Sequence, residues 1–392
     1  FDSVGFDSYY FAGELDRPEE VSYFSELAHF KQPDIRSLFR ECFGVSTRKR
    51  ELTRKLHEYK QKLKDDLYDF IQKYKIDILI PQNALTIPLN LPLGLALTEL
   101  ISEMGMPTIA HHHDFFWERQ EFLVNSIWEF LNMAFPPHIP FIEHVVINSS
   151  GDNQLSLRTG ISATIIPNVM DFENPPPPPD EYASDVRKNL GIKDDELLIL
   201  QPTRVVKRKG IEHAIELVKR LEMKAKLVIS HASGDEGYDY EKRVREYSKL
   251  MGVDTVFVSD IIGERRGKTE DGRKVYTLYD IYPFADFVTY PSNIEGFGNA
   301  FLEAIYFNKP ILVNTYSIYR TDIKPKGFET VEIDGFVTDE AVTHTKQILT
   351  DEALRLKMVT KNYKLAKKYY SYAVLQQKLS GLIIDSLQCN NQ

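Results

Sequence analysis

FVTYPSNIEGFGNAFLEAIYFNKPILV, from Phe287 to Val313, holds a complete structural unit. Phe287–Tyr290 is a short, apolar, aromatic and β-branched run, and Pro291 closes it as a strand. Gly296 and Gly298 flank Phe297 and let the backbone turn tightly. Asn299–Phe307 reads as a helix, and Pro310–Val313 as a second apolar strand. Strand, helix and strand joined by short connections form the repeating unit of a parallel α/β sheet.

The same alternation extends on both sides. Upstream lie strands at Leu197–Gln201, Lys226–Ser230 and Thr255–Val258, with helices at Ile211–Leu221 and Tyr240–Met251. Ile262–Lys274 is a polar, Gly-containing excursion expected to be mobile. Thr338–Leu349, Asp351–Tyr370 and Ala373–Leu387 read as terminal helices. In the N-terminal half, Tyr9–Ala12 reads as a short strand. Leu52, Leu56, Tyr59, Leu63, Leu67, Phe70, Ile71 and Tyr74 recur at three- and four-residue spacing, which makes 46–75 an amphipathic helix. Strands are expected at Ile76–Ile80, Pro107–His113, His144–Asn148 and Ala163–Ile166, with helices at Leu93–Met104 and, for the most part, Trp117–Asn132. Between the halves, Asn174 is followed by Pro175–Pro179, a stiff extended run that neither sheet nor helix accommodates. The reading is α/β, with two doubly wound Rossmann-like domains: 1–174, a proline linker at 175–180, and 181–372. Ligands of such folds sit at the carboxyl ends of the strands, so the expected site is the cleft between the domains.

Bulk properties narrow the function. The chain has 392 residues, 43% of them hydrophobic, enough for two cores. A net charge of −9 argues against a nucleic-acid partner, which needs a basic surface. No run of 18 or more residues is apolar throughout, so no transmembrane segment is expected. The two cysteines, Cys42 and Cys389, form neither a disulfide framework nor a metal site, and a reduced cytoplasmic protein is expected. The chain opens on Phe1 rather than Met, and the native start is expected upstream. A homodimer is retained as an option for assembly.

Four stretches can carry chemistry. Glu295 and Glu303 bracket the Gly296-Phe-Gly298 turn and the first turn of the following helix. The N–H groups at a helix start suit a diphosphate, and carboxylates accept pairs of hydroxyls. A solvated helix after an ordinary Gly turn is the plain alternative. Arg204-Val-Val-Lys-Arg-Lys209-Gly210 follows a strand and precedes a helix, a place where clustered cations hold phosphates. Its plain alternative is a solvated basic loop. His111-His-His113-Asp114 closes a strand. Consecutive strand residues point to opposite faces and do not converge on one ion, so no metal is expected. His113 is the candidate aimed at a sugar, with Asp114 orienting it or accepting hydrogen bonds of its own; one packed and one hydrogen-bonded histidine is the plain alternative. Trp117, Glu118 and Arg119 are acceptor-side candidates, with an aromatic anchor and a surface ion pair as the alternative. Ser149-Ser-Gly151 reads as a helix cap, Asn168 as a turn residue, and Ser230 ends a strand beside the nucleotide side. There is no Gly-x-Ser-x-Gly elbow, Walker loop or Cys-His pair to support a hydrolase or an ATPase.

Together these features resemble the retaining glycosyltransferases of family 4, which have the GT-B fold. The resemblance rests on Pro202-Thr-Arg204 with Lys209-Gly210, on Tyr290-Pro-Ser-x-x-Glu295-Gly-Phe-Gly with Glu303-Ala304, on His113-Asp114 at a strand end, and on a pre-linker Ile-Pro-Asn at 166–168. It covers about 75–370. It implies a nucleoside-diphosphate sugar (UDP-glucose or GDP-mannose) as co-substrate, a small or oligosaccharide hydroxyl acceptor, no obligatory metal or other cofactor, and front-face transfer. Arg204 and Lys209 would neutralise the leaving diphosphate. Glu295 and His113 would contact the transferred sugar, the backbone of Phe297, Gly298 and Asn299 the sugar and phosphate, and Glu303 the ribose. The last helix would cross back to the N-terminal domain. Two departures stand out: no Gly-rich loop precedes Tyr9, and Asn299 replaces a residue more often apolar. A nucleotide-sugar epimerase and an inactive nucleotide-sugar-binding protein are the competing readings.

Overall fold

The computed structural model describes Phe1, residues 5–234 and residues 237–388, with 385–388 described by backbone alone. Cys389 lies outside the described residues. Two compact units emerge. One comprises Phe1–Pro167 together with the chain from Leu375 onward, and the other is Asn168–Val374.

The first unit is built on three parallel strands, β1 (Thr108–His112), β2 (Ile142–Val146) and β3 (Thr164–Ile165). The expected strand at Ile76–Ile80 is present only as isolated parallel bridges, Leu79 to Thr108 and Gln82 to His111. The long amphipathic helix runs Arg50–Tyr74 and buries Leu52, Leu56, Leu63, Leu67, Phe70 and Ile71, as its spacing requires. Helix Leu91–Met104 is apolar nearly all round and is buried along most of its length. Trp117–Asn132 departs from expectation: it forms 3-10 turns at Phe116–Glu118 and Gln120–Phe122 and a short helix at Trp128–Ala134. The segment packs by burying Phe116, Phe122, Ile127 and Phe130, not by keeping one helical face. The cap of helix Ser149–Thr159 is Asn148, whose side chain accepts from Gly151 N, so the cap precedes the expected Ser-Ser-Gly. The final helix, Tyr372–Gln388, carries Leu375, Leu379, Leu382 and Ile383 onto Ile109, Val145 and Ile166 of the first unit.

The first unit's sheet also encloses a buried polar pair, of which His144 was not signalled by the sequence. His112 Nε2 and His144 Nδ1 lie 2.8 Å apart, with both side chains buried. Burial, with added repulsion from neighbouring histidines, holds both rings neutral: His112 falls well below its ordinary value and His144 falls to about 4. The unfolded chain binds protons at these rings near pH 6.5, while in the folded chain His144 does so only near 4 and His112 well below its ordinary value. Stability from the pair is therefore complete above about pH 6.5 and is lost as pH falls toward 4. His144 alone is worth roughly 3 kcal/mol over that window. Urea midpoints are expected to drop between pH 7 and pH 4.5, and a His112→Leu/His144→Leu double variant should show a markedly flatter pH dependence.

The second unit holds six parallel strands: β4 (Leu197–Gln201), β5 (Ala225–Ile229), β6 (Thr255–Phe257), β7 (Phe287–Tyr290), β8 (Ile311–Asn314) and β9 (Val331–Ile333). Their spatial order is β9-β8-β7-β4-β5-β6. Strand order therefore reverses between β4 and β7, which pair through Ile199–Phe287 and Leu200–Val288. Such a reversal opens a crevice beyond the carboxyl ends of the two strands. Both strands are buried on both faces, as their continuous apolar runs require. The chain enters this unit before the proline run, not within it. Met170 N donates to Tyr370 O at 2.9 Å, and Phe172 is fully buried against Tyr306 and Tyr363. Pro175–Pro179 accordingly lies inside the second unit, and no six-residue linker separates the two. The polar excursion Ile262–Lys274 also has structure. It contains a two-stranded hairpin of Gly267–Lys268 with Lys274–Val275, and Arg266 ties it to Asp180 and Asp280.

Candidate active site

The reversal between β4 and β7 brings two of the sequence motifs together. After β4 the chain passes through Arg204 to a 3-10 turn at Lys207–Lys209, and after β7 it passes Pro291 to Glu295. Asn293 N donates to Arg208 O at 2.8 Å, fastening one loop to the other. Gly210 has φ +58°, and a Cβ there would stand 2.5 Å from Pro291 O, so only glycine lets the two loops approach this closely.

Lys209 Nζ donates to Glu295 Oε1, and Arg208 Nη1 stands 3.6 Å from the other carboxylate oxygen. Lys209 is only 8% exposed, and its ammonium lies 5.6 Å from the centre of the Tyr290 ring. Burial lowers its pKa, and the Glu295 carboxylate opposes that fall. A lysine desolvated on this scale keeps its charge through its partner. An incoming phosphate can compete for the same ammonium. Arg204 is exposed; its side chain passes beside Gly234, and its charge depresses the His231 pKa after burial has done so.

Glu303 lies inside helix Asn299–Tyr306 and accepts from Tyr282 Oη at 2.8 Å. Burial raises its pKa against that hydrogen bond. Tyr282 is fully buried and stacks on Phe307 with centroids 4.9 Å apart. This partner of Glu303 was not evident in the sequence. The cap position is Gly298, which has no side chain to cap the helix start, and the first backbone N–H groups are suited to an anion. The preceding turn is held from beneath: Tyr316 Oη donates to Phe297 O at 2.8 Å, and the Phe297 ring packs edge-on against Tyr370. Gly298 has φ +124°, and a Cβ there would meet Tyr316 Oη at 2.5 Å. Gly298→Ala is expected to strain this turn by about 1–3 kcal/mol and to abolish detectable donor binding in calorimetry while the far-ultraviolet circular dichroism stays unchanged. Asn299 is an exposed residue whose Oδ1 accepts from Asn168 Nδ2 at 2.6 Å, which joins the pre-linker asparagine to the helix start.

Ser230 is fully buried, with its hydroxyl engaged by His231 Nδ1 at 2.6 Å and by Gln201 O at 3.4 Å. The partly exposed group at this strand end is His231.

In the first unit, the chain beyond β1 is organised by Asn83, a residue with φ +58° that sequence reading passed over. Asn tolerates this left-handed conformation better than most residues. Its Oδ1 accepts from His113 N at 3.0 Å and from Thr86 Oγ1 at 3.0 Å, and its Nδ2 donates to Asp114 at 2.7 Å. Asp114 also takes Arg119 Nε at 2.7 Å and Nη2 at 2.6 Å. Asp114 is thus engaged by Asn83 and Arg119, and the His113 ring rests near His111 with centroids 4.6 Å apart. His113 itself is exposed. Trp117 stacks on Phe115 at 4.6 Å, carries Arg158 over its ring and donates to Gln154 at 2.9 Å, which anchors it. Glu118 accepts from Phe115 N at 2.8 Å and Gln154 Nε2 at 2.9 Å.

Comparison with known proteins gives the chain a family. The family model described as glycosyl transferases group 1 matches residues 183–365. A mannosylglucosylglycerate synthase of Thermotoga maritima is 31% identical over 91% of this chain and 87% of its own. A mannosylglucosylglycerate synthase of Petrotoga mobilis is 33% identical over 71% of this chain and 68% of its own. Among solved structures, Anabaena HepE in complex with UDP and glucose superposes with a TM-score of 0.61 at 13% identity, over 84% of this chain and 82% of that one. No helix among the described residues is long and apolar enough to cross a membrane. With a parallel-sheet GT-B fold and relatives matched along most of its length, this chain belongs to the group 1 glycosyltransferases, enzymes that pass a sugar from a donor to an acceptor.

Proposed function

We propose that this enzyme transfers a mannosyl group, with retention, from a nucleoside-diphosphate sugar to a hydroxyl of glucosylglycerate, a small acidic sugar conjugate. The observation that carries the proposal is the likeness to two mannosylglucosylglycerate synthases, one of them matched over 91% of this chain. In this reading the donor belongs to the second unit. Its diphosphate lies on the open start of helix Asn299–Tyr306, with Lys209 and Arg204 as counter-charges. Glu295, released from part of its bond to Lys209, takes hydroxyls of the sugar, and Glu303 takes the ribose pair. The bond from the sugar's anomeric carbon to the phosphate oxygen breaks, and one to the acceptor oxygen forms on the same face. The acceptor's proton passes to the departing diphosphate. Preorganised cations stabilise that charge at low reorganisation cost, so the reading assigns no obligatory metal.

His113 and Arg119 are assigned to the sugar and acceptor side, with Asp114 and Glu118 holding them and Trp117 bracing them. The enzyme is assigned to the cytoplasm, where the buried free thiol of Cys42 stays reduced.

Incubating the full chain with glucosylglycerate and either GDP-mannose or UDP-glucose tests the assignment by mass spectrometry and nucleotide release. A product one hexose heavier, formed from GDP-mannose and not from UDP-glucose, is expected. Turnover with other acceptors but none with glucosylglycerate would remove the acceptor assignment.

A further inference from the structure

The amino ends of β4, β7 and β8 lie at the edge of the sheet opposite the Glu295 loop, and a pocket opens there. It is lined by Leu197, Asp286, Asn308, Lys309, Leu349 and Arg355, among others. Leu197 opens β4, Asp286 immediately precedes β7, and Lys309 shortly precedes β8.

Two cations line this pocket without carboxylate partners. Lys309 Nζ donates to Pro283 O at 2.7 Å. Arg355 Nη1 donates to Ile348 O and Leu349 O, both at 3.2 Å, at the end of helix Asp339–Thr350. Among the described residues neither is within ion-pair distance of a carboxylate, whereas Arg187, Arg220, Arg266, Lys274 and Lys361 of the same unit are. Asp286 accepts from Leu198 N at 2.7 Å and stands 3.7 Å from Arg187, so its carboxylate is committed on the strand side. Burial pulls the Lys309 pKa down to about 8; Asp286 opposes this and Arg355 adds to it. Neutral carbonyls take only part of the hydrogen-bonding capacity of the two cations and none of their charge, and an anion takes up both.

We propose that this pocket binds a small hydroxylated phosphate, with the phosphate on Lys309 and Arg355 and a hydroxyl on Asp286. The site is separate from the donor loops, which lie at the carboxyl ends of the same strands. One element joins the two: helix Asn299–Tyr306 begins at Gly298, carries Glu303, and leads through Asn308 (φ +53°) into Lys309. A ligand on Lys309 therefore bears on the far end of the helix that holds Glu303, which is the arrangement of an effector site.

Thermal unfolding in glycerol 3-phosphate, against chloride at equal ionic strength, tests the proposal, since a ligand of the folded state raises its stability by mass action. Four proteins are compared: the unaltered chain, Lys209→Ala, Lys309→Met and Arg355→Gln. Stabilisation is expected in the unaltered chain and in Lys209→Ala, which lacks one of the cations assigned to the donor phosphate. Lys309→Met and Arg355→Gln should each weaken the apparent affinity by at least ten-fold. No stabilisation of the unaltered chain, its loss in Lys209→Ala, or its retention in whichever pocket variant folds would overturn the proposal.

Discussion

Replacing Lys209 by alanine is expected to lower the turnover number for sugar transfer by at least ~10²-fold, the cost of removing one preorganised charge-stabilising group. The donor's Michaelis constant should change far less, because the charge on the leaving diphosphate grows as the glycosidic bond breaks. The structure adds a second consequence. Lys209 and Glu295 are both largely buried and bonded to each other. Removing the lysine leaves the carboxylate desolvated without its main partner, and such a loss costs several kcal/mol. The variant should therefore also unfold at a lower urea concentration. Lys209→Arg separates the two effects: it keeps a charge for Glu295, so much of the stability returns, while a planar guanidinium in a space shaped for an ammonium restores little of the rate. Steady-state kinetics with urea titration of all three proteins gives the comparison. Full activity in Lys209→Ala would remove Lys209 from the site.

Glu303→Ala is expected to act on binding instead. Glu303 is held in place by Tyr282 and is assigned to a hydroxyl pair of the nucleotide ribose. A charged hydrogen bond contributes about 1.5–3 kcal/mol, so nucleoside diphosphate should bind roughly 10- to 150-fold more weakly. Choice among donor sugars should stay as it is, because Glu303 is assigned away from the sugar. Calorimetric titration with free nucleotide and with nucleotide-sugar distinguishes the two. Equal binding of free nucleotide by both proteins would remove the ribose assignment. Tyr282→Phe offers a graded version. It removes the phenol that donates to Glu303 and leaves the stack on Phe307, so a smaller weakening is expected.

Much of the second unit was readable in advance because its signals are local. Apolar strands, Gly turns and amphipathic helices fell within a residue or two of their expected positions at Leu197–Gln201, Ile211–Leu221, Phe287–Tyr290 and Asn299–Tyr306. The meeting of Lys209 with Glu295 was half legible. Each motif follows a strand, but only the order β7-β4 makes those strands neighbours, and strand order is not written in local periodicity. The first unit was harder for the same reason. The His112–His144 pair joins two strands far apart in the chain, and Asn83 earns its place by reaching His113 and Asp114 from a separate turn. Trp117–Asn132 misled because its aromatic and aliphatic residues mimic helical spacing while they pack into the core from successive tight turns. The proline run misled in a different way. Stiffness marks a segment that joins no sheet or helix, and the chain had already entered the second unit at Asn168, where Met170 and Phe172 are fixed by Tyr370 and Tyr363.

Sugar transfer with retention from a nucleoside-diphosphate donor is the activity proposed for the Lys209–Glu295 cluster and the helix start at Asn299. Its most direct test is the anomeric configuration of the first product released by the unaltered enzyme. Carbon-13-labelled GDP-mannose is supplied with glucosylglycerate, and the one-bond carbon–hydrogen coupling at the transferred anomeric carbon is read by NMR before any equilibration. An α-linked mannosyl product, the configuration of the donor, is expected, with one nucleoside diphosphate released per sugar transferred. A β-linked product, or nucleotide released with no sugar joined to any acceptor, would contradict it.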